Sequence, residues 1–287
     1  MIKLLRGDFI RLFKSKIFWT GTIFMFVFSG FAVWSKWRDT YIFPDNYYEY
    51  HSEALLIAGA NYIGIVIPIV VAIFIGTDYS NGTIRNKYVM GHSRVSVYLS
   101  NLIVCITSSA VILTAYMAVV IGASGMGIIK KFEMSSGGVT ALCVTTFLAE
   151  AALTAIFLFI CMLVPGRTAG SVITLILSVV LLSTASTIYY KLAEDEYIER
   201  DTYVSLDEEG KPVGTKREMT KNPFYLEGAP RKIYGFLNDL LPYNQFFQLG
   251  NDGEMSDHMA YFPLYSFSLI VVTTGMGILI YRKRNLK

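Results

Sequence analysis

The stretch TDYSNGTIRNKYVMGHSR, Thr77 to Arg94, decides how this chain is read, because it is polar and regular in pattern yet lies between two long apolar runs. Asn81-Gly82 is a turn dipeptide, Thr83 can cap a helix start, Gly91 can end that helix and Ser93 can cap the next one. The pattern predicts a short helix from Thr83 to Met90, with Ile84 and Tyr88 sharing a face at i, i+4 and Arg85 and Lys87 flanking them. A helix of two turns is marginal alone. Its definition therefore calls for a packed partner; the competing reading is a basic loop held by anionic lipid.

Working outward, the chain is 53% hydrophobic and 16% charged over 287 residues, whereas a soluble domain carries about a quarter charged residues. Crossing a bilayer takes about 20 apolar residues. Six runs qualify: Ile17 to Trp34, Leu55 to Gly76, Val97 to Gly122, Val139 to Val164, Thr168 to Tyr190 and Tyr261 to Tyr281. Backbone groups cannot go unpaired in lipid, and the runs lack the short alternation of a barrel, so all six are expected to be helices. Pro68 is expected to bend the second. The first run lacks a small-residue cleavage site, which marks it as a retained span.

Six spans put both termini on one side, together with the Thr77–Ser96 loop, the Pro165-Gly166-Arg167 turn and the basic tail. Formal charge on that side is +11, and −7 on the other, with Glu150 between them. The positive-inside rule makes the basic side cytoplasmic. The expected fold is thus an all-α membrane protein of the plasma membrane. Residues 1–190 would hold an N-terminal interfacial helix and spans one to five, 191–260 an extracellular insertion, and 261–287 the last span and tail.

Outside the bilayer, residues 2 to 16 place Ile2, Leu5, Phe9, Leu12 and Phe13 on one helical face and Lys3, Arg6, Arg11 and Lys14 on the other, the pattern of a helix lying in the headgroup layer. The loop Tyr41 to His51 reads as an aromatic belt, and the loop near Lys130, Lys131 and Glu133 carries no signal. In the insertion, a hairpin is expected from Tyr203 to Thr215 around Asp-Glu-Glu-Gly. Two short amphipathic helices broken at Pro242 follow, from Lys232 to Gly250, resting on or dipping into the outer leaflet.

Chemistry is sparsely signalled. Cys105, Cys143 and Cys161 fall in apolar runs, and His51, His92 and His258 are scattered, so neither type has metal-ligand spacing. GASGMGIIKK, from Gly122, has neither the Lys-Ser/Thr nor the preceding strand of a phosphate loop. No catalytic residue, metal site or bound cofactor is expected in the chain. Glu150 is the one ionisable group near the middle of a span, where a charge costs about 2.5–3.5 kcal/mol on insertion scales. It reads either as part of a substrate path or as a neutral carboxyl bonded to Tyr116 or Asn61 of a neighbouring helix.

With six spans, an interfacial helix, a basic tail and a first loop of the form acidic-x-x-x-G-T-I-[RK]-x-K followed by G-x-S-R, the chain resembles the permease subunits of type-2 ABC transporters. The residues carrying the resemblance are Asp78, Gly82, Thr83, Ile84, Arg85, Lys87, Gly91, Ser93 and Arg94. The resemblance implies that the Thr83–Met90 helix, with Tyr88, is a coupling helix seated in a separate cytosolic ATPase that binds ATP and Mg. It also implies a second permease copy, identical or related, two ATPase subunits, and a re-entrant helical pair before the last span, which Lys232 to Gly250 fits. Substrates in such exporters are often peptides, antibiotics or lipids. Two other readings are a membrane sensor or immunity protein using its outer segment, and a secondary transporter. The latter would show repeat symmetry and several polar groups at midplane, where only Glu150 is found.

Overall fold

The computed structural model describes residues 1–42, 51–164, 166–206, 212–250 and 258–283, with backbone alone for 201–206 and 212–216. The elements are α1 (Ile2–Lys14), α2 (Lys16–Tyr41), α3 (Ser52–Ser80), α4 (Thr83–Val89), α5 (Arg94–Gly125), α6 (Ser136–Leu163), α7 (Arg167–Leu192), β1 (Tyr197–Leu206), β2 (Pro212–Lys221), α8 (Gly228–Leu240), α9 (Pro242–Leu249) and α10 (Phe262–Lys283). Six of these helices are long and apolar enough to cross a membrane. Each is longer than the run read from sequence and passes it at one end or both, because polar residues at span ends continue a helix already nucleated by its apolar centre. The Tyr41–His51 belt, the hairpin turn Asp207–Gly210, Pro165 and the end of the basic tail fall wholly or largely outside the described residues.

α3 and α6 form the centre of the bundle, and α2, α7 and α10 its rim, with most of their apolar side chains facing outward. Close approach between helices is made by tyrosines lying in notches left by glycines. Tyr116 of α5 covers Gly59 of α3, Tyr243 of α9 covers Gly64 of α3, and Tyr98 of α5 covers Gly277 of α10. A methyl group at any of the three would sit less than 2.5 Å from the ring or hydroxyl.

α3 runs unbroken through Pro68. Proline has no N–H, so the carbonyl four residues earlier, that of Gly64, loses its helical donor. Ser178 of α7 supplies one, its hydroxyl donating to Gly64 O at 2.6 Å. Tyr243 OH lies 2.7 Å from the same Ser178 oxygen and, with that serine's proton committed, is the donor to it. One proline thereby organises a relay that ties α9 through α7 to α3.

α9 is the buried half of the predicted pair: Pro242 to Phe246 are all enclosed, whereas α8 has no fully buried residue. Asn244 donates to Ala185 O at 2.9 Å, and Gln245 accepts from Ser266 of α10 at 2.8 Å. Such polar anchoring goes past resting on a leaflet: α9 is inserted among α3, α6 and α7. The hairpin is longer than expected, pairing Tyr197 with Lys221 and, nearer its turn, Tyr203 with Thr215. At the same end, the loop that carried no signal is docked by Glu53, which accepts from the backbone N–H groups of Glu133 and Met134 at 2.7 and 2.9 Å.

Candidate functional site

The Thr83–Val89 helix exists, and its ends are set by backbone geometry more than by side chains. Thr83 is not its cap; Gly82, in the left-handed region at φ 66°, is the cap residue and lets the chain reverse out of α3. Gly91, at φ 83°, closes the other end. Its N–H donates to Tyr88 O and that of His92 to Lys87 O, the double bond of a Schellman stop. Ser93 then caps α5, its hydroxyl accepting from Ser96 N at 3.1 Å.

The two faces of α4 differ sharply. Ile84 and Lys87 point into the protein, 3% and 4% exposed, and Tyr88 is half-buried. Arg85 and Asn86 are exposed, as are Val89 and Met90 at 81% and 68%. The face that sequence paired as Ile84 with Tyr88 is therefore the anchored one, and Lys87 belongs to it at i, i+3 rather than flanking it.

Lys87 is anchored in a set of four paired charges, of which Asp8, Asp78 and Lys87 are buried and Arg11 is half-buried. Its Nζ lies 2.8 Å from Asp8 Oδ1 and 3.0 Å from Asp78 Oδ2. Arg11 pairs with Asp78 and sits 3.5 Å from Asp8, and its guanidinium stacks on the Phe74 ring at 3.9 Å. Ser100 of α5 donates to Asp8 at 2.7 Å. Two carboxylates and two cations balance, which burial demands, since an isolated charge in such a place would be far costlier than a paired one. Burial lowers the proton affinity of both Lys87 and Arg11 from their ordinary values, and Asp8 works against that loss in each case.

This arrangement corrects the reading of α1. Its inward stripe is Leu4, Asp8 and Leu12, packed mainly on α5, while Ile2 and Phe13 of the expected apolar face are exposed. Arg11 is part of the cluster, not of a solvated basic face. Asp8 and Phe74 are site residues that sequence reasoning missed. The available signal was an aspartate at i, i+4 between two leucines.

One further tie holds α4: Tyr88 OH meets Tyr281 OH of α10 at 2.6 Å. Beside it, Arg94 at the start of α5 donates to Arg282 O at 2.7 Å and Tyr281 O at 3.3 Å, capping the open carbonyls of that helix end. Beside the exposed face of α4 lies a groove of about 740 Å³ lined by Tyr79, Arg85, Tyr88, Val89, His92 and Arg94 among others. Of the residues singled out in sequence, Asp78, Gly82, Thr83, Ile84, Arg85, Lys87, Tyr88, Gly91, Ser93 and Arg94 are gathered at this one end of the bundle.

Glu150 stands apart from them. It lies in α6, 1% exposed, and neither carboxylate oxygen has a hydrogen-bond partner among the described residues. The expected partners are not used: Tyr116 OH donates to Leu55 O at 3.0 Å, and Asn61 Oδ1 has no hydrogen-bond partner among the described residues. Tyr116 is committed to the α3 backbone because Gly59 draws its ring flat against that helix.

Six apolar helices around a buried core define a multi-pass membrane protein. Residues 4–184 match the family described as ABC-2 family transporter protein. The chain belongs to that family, and is a type-2 ABC transporter permease, a class that works with ABC ATPase subunits. No curated protein matches it.

Proposed function

We propose that this chain is the membrane-spanning half of an ATP-driven exporter, and that α4 is the helix through which a separate cytosolic ATPase drives it. The observation that carries the reading is the asymmetry of α4. A seven-residue helix fixed on one side by charges and tyrosines leaves Val89 and its C-cap residue Met90 exposed, adjacent to each other and to a groove, an apolar spot that a partner's surface would cover. Two ATPases, holding ATP and Mg, would act on two permease copies, identical or related. The cargo class that fits the resemblance is a peptide, antibiotic or lipid-like molecule. Glu150 is enclosed within a single bundle, which favours a neutral structural carboxyl over a place on a path between copies.

The test is mass spectrometry of what co-purifies with the tagged chain from its own cells in mild detergent. A near-stoichiometric soluble ATPase is expected, and Val89→Asp or Arg85→Glu should lower its recovery at least about tenfold, the scale on which a central interface residue acts, with membrane insertion intact. Full recovery with both variants would remove α4 from the interface. A sensor would instead purify without an ATPase.

Orientation follows the charge asymmetry: both termini and α4 cytoplasmic, the hairpin outside. A cysteine placed at Ser205 in a background lacking Cys105, Cys143 and Cys161 should react with an impermeant thiol reagent on intact cells. Labelling only after permeabilisation would reverse the assignment.

A further inference from the structure

We infer that Asp8 is a positioning residue for α4: through Lys87, the N-terminal helix forms the rear support of the ATPase-facing surface, and α1 and α4 carry an applied force as one body. The inference rests on the reading of α4 given above.

α4 joins α3 through the Asn81-Gly82 turn and α5 through Gly91 to Ser93, and glycines with positive φ sit in both connections. Glycine-bearing turns transmit a push poorly, because they can absorb it by rotating about φ and ψ. Stiffness must come from side chains on the inward face. Ile84 contributes packing, Tyr88 reaches α10, and Lys87 reaches two carboxylates at once. One of those carboxylates, Asp78, is on α3, the helix that already leads into α4. The other, Asp8, is on a helix separated from α4 by the first two spans, and it ties α1 directly to α4, beside the Arg11–Asp78 pair that ties α1 to α3.

Asp8 is in turn held from two other directions, by Ser100 of α5 at 2.7 Å and by Arg11 of its own helix at 3.5 Å. A charge pair whose members each have a second buried partner cannot rotate away without breaking several contacts together. Displacement of α4 is therefore delivered to α1, and from α1 to α2, which follows it after the single residue Ser15. The first span thus receives the stroke by way of α1.

The experiment uses the permease purified with its ATPase. Nitroxide labels at Arg6 on α1 and Asn81 just before α4, both exposed positions, report the distance between the two helices with and without vanadate-trapped nucleotide. That distance should stay narrow and unchanged in the parent. In Asp8→Asn/Lys87→Met, which removes one charge of each sign and leaves the Arg11–Asp78 pair, the distribution should broaden. ATP hydrolysis by that complex should fall at least about tenfold at an unchanged thermal midpoint, as small misplacements of working groups do. Loss of the ATPase from that variant counts the same way, and Asp8→Glu should retain hydrolysis near the parent rate. A shift of about 5 Å or more in the parent on trapping, one helical turn, would show the two helices moving separately and overturn the inference. So would parent-rate hydrolysis by the double variant. If the parent brings down no ATPase, the functional reading fails first and this inference with it.

Discussion

Lys87→Met should destabilise the folded permease by about 3–5 kcal/mol, the range seen when one partner of a buried ion pair is deleted. The substitution leaves Asp8 and Asp78 with Arg11 as their only cation among the described residues, so one carboxylate is buried without a counter-charge. Methionine fills nearly the volume of the lysine stem, so the loss is electrostatic and not a cavity effect. Adding Asp8→Asn restores neutrality, and the double variant should recover most of the loss, since replacing both members of a buried pair is often close to neutral. Denaturant unfolding of the detergent-solubilised protein measures all three variants in one cycle. Losses that simply add, or a single variant as stable as the parent, would mean that these charges do not act as a unit.

The cluster also marks where sequence reading stopped. The spans were legible because about twenty apolar residues in a row admit one structure in lipid. The bounds of α4 were legible to within a residue because Gly82 and Gly91 punctuate them, although the glycine rather than Thr83 holds the cap. The inward face of α4 was not. A lysine on a short basic helix is solvated in most proteins, and burial of Lys87 rests on two carboxylates, Asp78 nearby in the chain and Asp8 from a helix some eighty residues away, which local pattern does not bring together. Asp8 itself was hidden in a charge count, because a single acid among many bases looks like noise until Leu4 and Leu12 on either side are seen to point inward. The hairpin is longer than its turn signal predicts, α8 begins at Gly228 rather than at Lys232, and the depth of α9 is set by partners on α3, α7 and α10 that local pattern cannot reveal.

Gly64→Ala is expected to unseat α9, with a loss at or above the upper end of the roughly 1–3 kcal/mol usual for overpacking. An ideal Cβ at Gly64 would lie 2.3 Å from Tyr243 OH and 2.7 Å from two of its ring carbons, so the ring cannot stay where it is. Nor can it swing aside freely, because Tyr243 is 1% exposed and packed edge-on against Phe246 at 6.2 Å. Moving the ring removes the donor to Ser178, whose hydroxyl is the compensation for the N–H that Pro68 lacks. The methyl group would thus disturb the backbone repair of α3 as well as the seat of α9. Tyr243→Phe separates the two effects, since it keeps the ring in the notch and deletes one hydrogen bond, a loss of about 1 kcal/mol. Thermal unfolding in detergent, with limited proteolysis of the β1–β2 segment as a local probe, should therefore rank the parent first, Tyr243→Phe close behind and Gly64→Ala well below. If Gly64→Ala unfolds with Tyr243→Phe or above it, the notch is looser than the structure describes and α9 is held by Asn244 and Gln245 instead.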